Sequence, residues 1–376
     1  MINRHIQSDL ENRLFSGKAI VLMGPRQVGK TTLIDMVCGS RKDVLYLNGD
    51  EPDIRENFSD ITSDELIAII GSNKIVVIDE AQRIKNIGLT LKLITDKIKH
   101  VQVIASGSSS FELASNIKEP LTGRKTEFKL YPLSYAEMVK HHGLIKERRL
   151  LEQRLIYGYY PEVVTAAGDD ARNTVNELAD SYLYKDLFIL NDIKKSYVFE
   201  KLVQALALQI GSEVSPHELS RLIGVDKNTV NKYLDLLEKA FVVFSLPSLA
   251  RNVRTELRKG RKYYFYDTGI RNAVINNFAS LAQRADVGAI WENFLIAERR
   301  KLLDYKRIRH KMYFWRTTQQ QEIDYVEERE NRFHAFEFKW NPSAKARISK
   351  TFTRAYPDSE TAAISRENYE DFFDVH

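Results

Sequence analysis

The chain has 376 residues, of which 43% are hydrophobic and 28% are charged, so it is long enough to form two or three domains with separate cores. No apolar run reaches the length of a membrane span, and the N-terminal stretch lacks the continuous apolar segment of a signal peptide. A single cysteine, Cys38, excludes an intrachain disulfide, and the formal net charge of +5 permits nucleic-acid binding without arguing for it. We therefore expect a cytoplasmic protein with no membrane partner.

The stretch KAIVLMGPRQVGKTTLIDMV predicts a buried strand, a glycine-containing loop and a helix. Within it, residues 24–31 match GxxxxGK[ST] in the strand–loop–helix context that a phosphate-binding loop requires. Lys30 can reach the β- and γ-phosphates of ATP, and Thr31 can ligate Mg²⁺. The predicted nucleotide-binding residues of this segment are Gly24, Pro25, Arg26, Gln27, Val28, Gly29, Lys30, Thr31 and Thr32.

Two further strands are expected to reach the same site. The apolar strand in KIVVIDEAQ ends at Asp79 and Glu80, which can hold Mg²⁺ through water and orient or deprotonate the attacking water, respectively. The strand in VQVIASGSSS ends at Ser106 and Ser108, either of which could sense the γ-phosphate. Serines in this position also serve simply as turn formers, so both interpretations stay open.

Arg124 follows a glycine in LTGRKTEF and is a candidate for stabilising charge on the transferring phosphoryl group. It could come from the same subunit or from a neighbouring one, which leaves a homo-oligomer open; a surface arginine in a turn is the alternative. Strands alternating with helices over residues 1–135 predict an α/β domain with a P-loop NTPase parallel sheet. Residues 136–196 are predicted to form a helical connector, interrupted at YGYYPEVV.

The stretch SPHELSRLIGVDKNTVNKYLDLLEK predicts a helix-turn-helix, with the turn at Gly224. The strand FVVFSL follows it, as in a winged helix, and we place this domain at residues 197–260. The apolar positions that we expect to face its core are Leu219, Leu222, Val230, Leu234 and Leu237.

The outer face of the second helix predicts a DNA contact. Lys227, Asn228, Asn231 and Lys232 lie on its first two turns, where a recognition helix presents side chains to a major groove. A basic run follows that suits phosphate contacts: Arg251, Arg254, Arg258, Lys259, Arg261 and Lys262. Helix-turn-helix units also dock proteins, so a protein partner remains the alternative to DNA.

The last third of the chain predicts a helix, three strands, a helix and a strand. Asp324 lies on the middle strand of the three, and Glu337 and Lys339 lie on the next. Carboxylates from adjacent strands can bind one Mg²⁺ or Mn²⁺ ion, with Glu292 as a further ligand from the helix, and the lysine can activate water. A structural ion pair between Glu337 and Lys339 is the alternative.

The D…E-x-K arrangement in this element order resembles the PD-(D/E)XK superfamily, which has a restriction-endonuclease-like fold. Together with GPRQVGKTT, DEAQR, KYYFYDTG, IWENF, EIDY and EFK, it makes the chain similar over nearly its whole length to a bacterial and archaeal family of AAA-related P-loop ATPases with a C-terminal domain of unknown function. The chain departs from the family at Gln321 and Tyr159, where a small residue or glycine is usual. The resemblance implies ATP hydrolysis and a nuclease-like α/β domain over residues 261–376.

The sequence therefore leaves three hypotheses about the function. The first is an ATPase that binds DNA and uses its nucleotide state to control the C-terminal domain without cutting. The second is an ATP-dependent nuclease with metal-dependent cleavage. The third is a nucleotide-gated protein-interaction switch with no role in nucleic acid.

Overall fold

The structure is a computed structural model that describes residues 1–108, 121–166, 169–181, 183, 196–249, 260–344 and 348–375. The chain folds into two compact units, one formed by residues 1–131 with 239–241 and the other by residues 132–238 with 242–376. Within the described ranges, no helix has the length and apolar character needed to cross a membrane. The predicted α/β class is confirmed, because a parallel sheet forms the first unit and further sheets follow in the second.

The first unit is built on a five-stranded parallel sheet with the order β2-β3-β4-β1-β5. The strands β1 and β4 are buried along their whole length, as expected of central strands with helices on both faces. The strands are β1 (Ala19–Met23), β2 (Val44–Asn48), β3 (Ile75–Asp79), β4 (Gln102–Gly107) and β5 (Lys125–Lys129).

Helices connect these strands in the manner that parallel pairing requires. A capping box starts α4, in which Thr62 and Glu65 each accept a hydrogen bond from the other's backbone N–H. The helices of the first unit are α1 (Gln7–Asn12), α2 (Lys30–Cys38), α3 (Pro52–Phe58), α4 (Ser63–Ile70) and α5 (Ile87–Lys97).

The second unit begins with the helical segment that the sequence predicts. Its helices are α6 (Tyr135–His142), α7 (Leu144–Tyr157), α8 (Pro161–Thr165) and α9 (Asp169–Ala179). The turn between α7 and α8 needs a glycine, because Gly158 has a φ of 83° and a Cβ there would lie 2.0 Å from an oxygen of Asp267.

A helix-turn-helix follows, with two helices packed beside a small antiparallel sheet of order β6-β8-β7. The elements are α10 (Ser196–Leu208), β6 (Glu213–Val214), α11 (Pro216–Ile223), α12 (Lys227–Lys239), β7 (Val243–Pro247) and β8 (Arg261–Phe265). Leu222 was expected in the core and is 61% exposed, whereas the next residue, Ile223, is buried. The prediction for Leu222 is therefore wrong, because the buried stripe of this short helix runs through Leu219 and Ile223.

The predicted domain boundary between residues 260 and 261 does not match this sheet. β8 starts at Arg261 and pairs with both β6 and β7, so a cut at that point would remove the central strand from the helix-turn-helix segment. The segment that begins at residue 197 therefore extends through β8.

The remaining elements contain the predicted order of helix, three strands, helix and strand, with one further helix before it and one after it. They are α13 (Thr268–Val274), α14 (Val287–Tyr305), β9 (Lys311–Arg316), β10 (Glu322–Arg329), β11 (Arg332–Phe338), α15 (Lys350–Ala355), β12 (Glu360–Ile364) and α16 (Tyr369–Phe372). The sheet has the order β12-β11-β10-β9, with β12 parallel to β11 and the other pairs antiparallel. One face packs against α15 around Trp315, Val326 and Phe352.

The two sheets of the second unit meet at their edges. β7 and β9 are edge strands of their own sheets, and Ser248 and Phe314 form a parallel bridge between them. The Leu249 N–H donates to the Phe314 carbonyl at 2.7 Å. The helix-turn-helix segment and the C-terminal sheet therefore share backbone hydrogen bonding.

Candidate functional site

The loop that follows β1 has the backbone geometry of a phosphate-binding loop. A Cβ on Gly24 would lie 2.1 Å from the Leu130 carbonyl oxygen, so only glycine fits there. Gln27 and Gly29 have φ values of 58° and 89°, in the left-handed region. This conformation turns consecutive N–H groups inward, toward the start of α2, and creates a concave site for an anion.

Lys30 lies at the first position of α2, directed back over the loop. Its Nζ atom donates to the carbonyl oxygens of Gly24 at 3.0 Å and Pro25 at 2.8 Å, and the residue is 6% exposed. Burial lowers the pKa of Lys30 to about 8, against the opposing effect of the Glu80 and Asp79 carboxylates. The ammonium group is thus held among neutral carbonyls that phosphate oxygens could replace.

Asp79, at the end of β3, joins the loop to the neighbouring strand. One carboxylate oxygen accepts from the Thr31 hydroxyl at 2.9 Å, and the other accepts from the Glu80 N–H at 3.0 Å and from the Ser106 hydroxyl. The hydroxyl and carboxylate oxygens that Mg²⁺ prefers therefore lie side by side, next to the loop that would hold phosphates. These residues fit a nucleotide-bound magnesium ion.

Glu80 is held in a strained backbone conformation by its surroundings. Its φ and ψ are 47° and 39°, and a Cβ on Gly49 would lie 2.5 Å from its carbonyl oxygen. The carboxylate accepts from the Gln82 side-chain amide at 2.5 Å and from the Ser108 hydroxyl at 3.2 Å. Gln82 also donates to Ser108 at 3.1 Å, which closes a triangle of polar side chains.

Gln82 is a site residue that the sequence reasoning did not select. It is 6% exposed, and its side chain holds the carboxylate of Glu80 through a direct hydrogen bond. The only signal in the sequence is a polar residue two positions after the acidic pair, at the end of a buried strand. We therefore class Gln82 as a positioning residue for Glu80.

Gln82→Ala is expected to lower kcat for ATP hydrolysis by about 10- to 100-fold, because the Glu80 carboxylate loses the donor that fixes its direction. Nucleotide affinity should change by less than about threefold, since Gln82 acts through Glu80. Steady-state kinetics and nucleotide titration would separate the two effects. Lys85→Ala, three positions after Gln82 in the chain, removes an exposed ion pair between Lys85 and Asp60 and is the control. An unchanged kcat in Gln82→Ala would mean that Glu80 is held in place by other contacts.

Arg124 lies at the amino ends of the strands, opposite the end where the loop follows β1. It directly precedes β5, and the Ala19 N–H at the start of β1 donates to its carbonyl at 2.8 Å. Its side chain forms an ion pair with Asp96 at 2.7 Å. Since β1 and β5 are parallel, their amino ends lie away from the loop at the carboxyl end of β1. This placement contradicts the alternative in which Arg124 serves the site of its own chain, and the alternative in which it serves a neighbouring subunit stays a prediction.

The residues predicted to contact DNA fall into two groups, one that the structure describes and one that it does not. Lys227, Asn228, Asn231 and Lys232 are all exposed on α12, as the prediction requires. Arg251, Arg254, Arg258 and Lys259 lie outside the described residues. The Asp226 carboxylate caps α12 by accepting from the N–H groups of Asn228 at 2.9 Å and Thr229 at 3.0 Å.

Lys262 was expected in the phosphate-contacting run, and this prediction is wrong. The residue is 2% exposed, and its ammonium group forms ion pairs with Glu292 at 3.3 Å and with Glu322. Burial alone would lower the pKa of Lys262, but the two carboxylates reverse this effect and raise it. Arg261, the residue before it, is exposed and donates to the Ser245 hydroxyl at 3.1 Å.

The predicted metal ligand Glu292 already has two protein partners. Besides Lys262, the Tyr264 hydroxyl donates to its carboxylate at 2.5 Å. Burial raises the pKa of Glu292 to about 7, although the Lys262 charge opposes this shift. Lys262 and Tyr264 stand two residues apart on β8, so the same face of this strand presents both donors to one carboxylate.

The other two predicted ligands, Asp324 and Glu337, interact with each other through their charges. The pKa of Glu337 rises to about 7 because the group is buried and because Asp324 lies nearby, and burial likewise raises the pKa of Asp324. Asp324 accepts from the Phe338 N–H at 2.8 Å, and Glu337 forms an ion pair with Lys339 at 3.3 Å. The alternative of an ion pair between Glu337 and Lys339 is thus present in the structure.

These side chains do not fit a metal ion in their described arrangement. Among the residues that the structure describes, no group of three or more His, Cys, Asp or Glu side chains is placed to hold one. Each predicted ligand instead has a lysine, a hydroxyl or a backbone N–H as its partner. We call the set the acidic cluster, defined as Glu292, Glu322, Asp324 and Glu337 with the lysines Lys262 and Lys339.

Comparison with protein families divides the chain into three matched segments. Residues 16–139 match an AAA domain, residues 148–281 match a domain of unknown function (DUF8612), and residues 287–372 match another domain of unknown function (DUF4143). The first segment contains the phosphate-binding loop and the strands that end at Asp79 and Gly107. This part of the chain is therefore similar to an AAA domain.

Relatives in bacteria and archaea match nearly the whole chain. An uncharacterised protein of Mycobacterium tuberculosis is 28% identical over 96% of this chain and 79% of its own length. One of Methanocaldococcus jannaschii is 23% identical over 94% of this chain and 82% of its own length. Among solved structures, a Walker-type ATPase of Pyrococcus abyssi is similar with a TM-score of 0.52 and 16% identity, over 73% of this chain and 96% of that one. This likeness supports the P-loop ATPase fold.

Proposed function

We propose that the chain binds ATP with Mg²⁺ and hydrolyses it, and that its nucleotide state controls the second unit. The observation that carries the proposal is that the phosphate-binding loop lies next to the end of β3, where Asp79 is located. The Thr31 hydroxyl lies 2.9 Å from Asp79, and the buried Lys30 ammonium is held over the same loop. In P-loop enzymes these groups hold the metal and the transferring phosphate.

Each residue of this site has a distinct part in the proposed reaction. Thr31 and Asp79 would hold Mg²⁺, which neutralises charge between the β- and γ-phosphates. Lys30 would exchange its two carbonyl partners for phosphate oxygens. Glu80 would orient the attacking water and accept its proton, with Gln82 and Ser108 fixing the direction of the carboxylate.

An ATPase assay run with and without nucleic acid tests the proposal and separates its alternatives. ATP turnover that duplex or single-stranded DNA changes would support control of a DNA-bound assembly. Cleavage products that require Mg²⁺ or Mn²⁺ would support the ATP-dependent nuclease. Turnover that no nucleic acid affects would support the protein-interaction switch, and the absence of turnover under all conditions would contradict the proposal itself.

DNA is the partner that we infer for the helix-turn-helix segment. Two helices joined at Gly224 and followed by the antiparallel pair of β7 and β8 support a winged helix. Lys227 and Lys232 are exposed on the helix that would enter the major groove. This exposed polar face supports DNA over a purely structural role for α12.

The affinity for duplex DNA is expected to fall steeply with salt, because phosphate contacts release counterions. The double substitution Lys227→Gln/Lys232→Gln should reduce the slope of log K against log salt by about 1.8, close to 0.9 for each lost contact. Fluorescence anisotropy over a salt series would measure the slope. Lys146→Gln, at an exposed position on α7, is the matched control and should leave it unchanged. Salt-insensitive binding, or none at low salt, would favour the protein-docking alternative.

For the C-terminal part we propose a PD-(D/E)XK-like fold, on the basis of its order of helix, three strands, helix and strand. Asp324 on β10 and Glu337 on β11 occupy the positions that this order assigns to acidic residues. The lysine partners of the acidic cluster oppose cleavage in the arrangement described. The proposed function therefore does not include cutting by this state of the protein.

A further inference from the structure

We propose that the ammonium group of Lys262 is an internal cation, which fills the place of a divalent metal ion in the acidic cluster and keeps that ion out. The proposal deepens the proposed function, since it rests on the PD-(D/E)XK-like interpretation of the C-terminal part. It assigns a role to a buried lysine that the nucleotide site does not use. The ligand that would replace Lys262 is a hard divalent cation such as Mg²⁺ or Mn²⁺.

The position of Lys262 is unusual for its residue type. Its side chain is 3% exposed, and its Nζ lies 3.3 Å from Glu292, in contact with Glu322, and 5.4 Å from the centre of the Phe314 ring. Burying an ammonium group without partners would cost several kcal/mol, so these carboxylates are what allows it to stay. The contacts are those of a cation held inside a protein site.

The backbone around Lys262 delivers the side chain to the cluster. In β8 it pairs in register with Glu213 of β6 and Leu246 of β7, so both neighbouring strands fix its position. A Cβ on Gly260, two residues earlier, would lie 2.7 Å from a side-chain carbon of Glu213, which shows how closely β6 approaches. The backbone pairing of β8 with both neighbouring strands therefore fixes the position from which the Lys262 side chain reaches the acidic cluster.

The charges of the cluster show why one cation can replace another. Four carboxylates face two ammonium groups, those of Lys262 and Lys339, and Glu322 also pairs with the Arg316 guanidinium at 3.7 Å. Neighbouring carboxylates repel one another unless positive charge lies between them. If Lys262 is removed, the carboxylate charge of Glu292, Glu322 and Asp324 loses its main partner. A divalent cation bound by oxygen atoms would then restore the balance.

The test is a Mn²⁺ titration of the full-length, nucleotide-free protein, followed by electron paramagnetic resonance of the free ion. All proteins carry Asp79→Asn, so that the nucleotide site lacks its carboxylate. We expect no saturable site below about 1 mM in the protein with Lys262, and one site at least about tenfold tighter in Lys262→Met, which keeps the length of the side chain and removes its charge. Adding Asp324→Asn to Lys262→Met should abolish the new site.

Two controls show whether an effect on Mn²⁺ binding is specific to Lys262 and whether it is independent of ATP hydrolysis. Lys311→Met removes an exposed ion pair with Glu328 at the other end of β9 and should gain no site. ATP turnover is measured in parallel on the same Lys262 and Lys311 variants with Asp79 intact, so a failure of the ATPase is scored independently of Mn²⁺ binding. Circular dichroism verifies that each variant is folded.

Two results would overturn the proposal. One is a saturable Mn²⁺ site below about 1 mM in the protein with Lys262, because the lysine would then exclude nothing. The other is a folded Lys262→Met that binds no Mn²⁺, because Lys262 would then be only a structural partner of Glu292 and Glu322. The first result needs no substitution at Lys262, so the proposal stays testable even if Lys262→Met does not fold.

Discussion

Lys30→Ala is expected to reduce ATP turnover by at least about 10²- to 10³-fold and to weaken nucleotide binding. In the structure the Lys30 ammonium is buried and bonded to the carbonyl oxygens of Gly24 and Pro25, with no second lysine on the loop to take its place. Alanine would leave the β- and γ-phosphates without that charge in both the ground state and the transition state. Turnover and nucleotide titration measured on the same protein would show both losses.

Glu80→Gln complements Lys30→Ala, because it is expected to affect hydrolysis without affecting nucleotide binding. The amide has the same shape as the carboxylate but cannot accept a proton, so hydrolysis should slow by about 10²- to 10⁴-fold while nucleotide binding is retained. Lys97→Ala, at an exposed position in the last turn of α5, should behave as the unsubstituted protein. Turnover that is undiminished in both Lys30→Ala and Glu80→Gln would contradict the assignment of the site.

Glu327→Ala is expected to destabilise the second unit by about 3–5 kcal/mol, because it leaves a buried guanidinium without its counter-charge. The Glu327 carboxylate is fully buried and accepts from Arg299 at 3.0 and 2.7 Å and from the Tyr325 hydroxyl at 2.9 Å. Burial would raise the pKa of Glu327, but the Arg299 hydrogen bonds and charge overcome this and lower it. Urea denaturation followed by near-ultraviolet circular dichroism would report the change in free energy of unfolding.

The neighbouring residue supplies the control for this substitution. Glu328 lies on the same strand and pairs at 3.3 Å with Lys311, whose side chain is 68% exposed. Glu328→Ala should therefore change the free energy of unfolding by less than about 1 kcal/mol. If both substitutions had the same small effect, the Arg299–Glu327 pair would not be the stabilising contact that its burial indicates.

The sequence was sufficient to predict an element wherever its pattern lay within a few residues. The phosphate-binding loop combines a buried strand, two glycines and a helix in one stretch, and β1 and α2 flank the loop as predicted. The α/β class followed from such local patterns. Leu222 shows the limit of the same reasoning, since a short helix can bury Ile223 in its place.

Contacts between distant parts of the chain could not be predicted in the same way. Lys262 and Glu292 are 30 positions apart, and Lys262 also meets Glu322 from a different sheet. Within a local pattern the lysine is simply one member of a basic run, and only the pairing of β8 shows that it is buried. Arg124 is different, because its place at the amino end of β5 follows from parallel pairing and was open to prediction.

The edge contact between β7 and β9 has an evolutionary consequence. Separating the helix-turn-helix segment from the C-terminal sheet would leave two unpaired strand edges, at Ser248 and at Phe314, and unpaired edges promote aggregation. A recombination event between these two segments would therefore be selected against, whereas one that carries both together would not. We expect genes that exchange this region to inherit residues 196–375 as a single cassette.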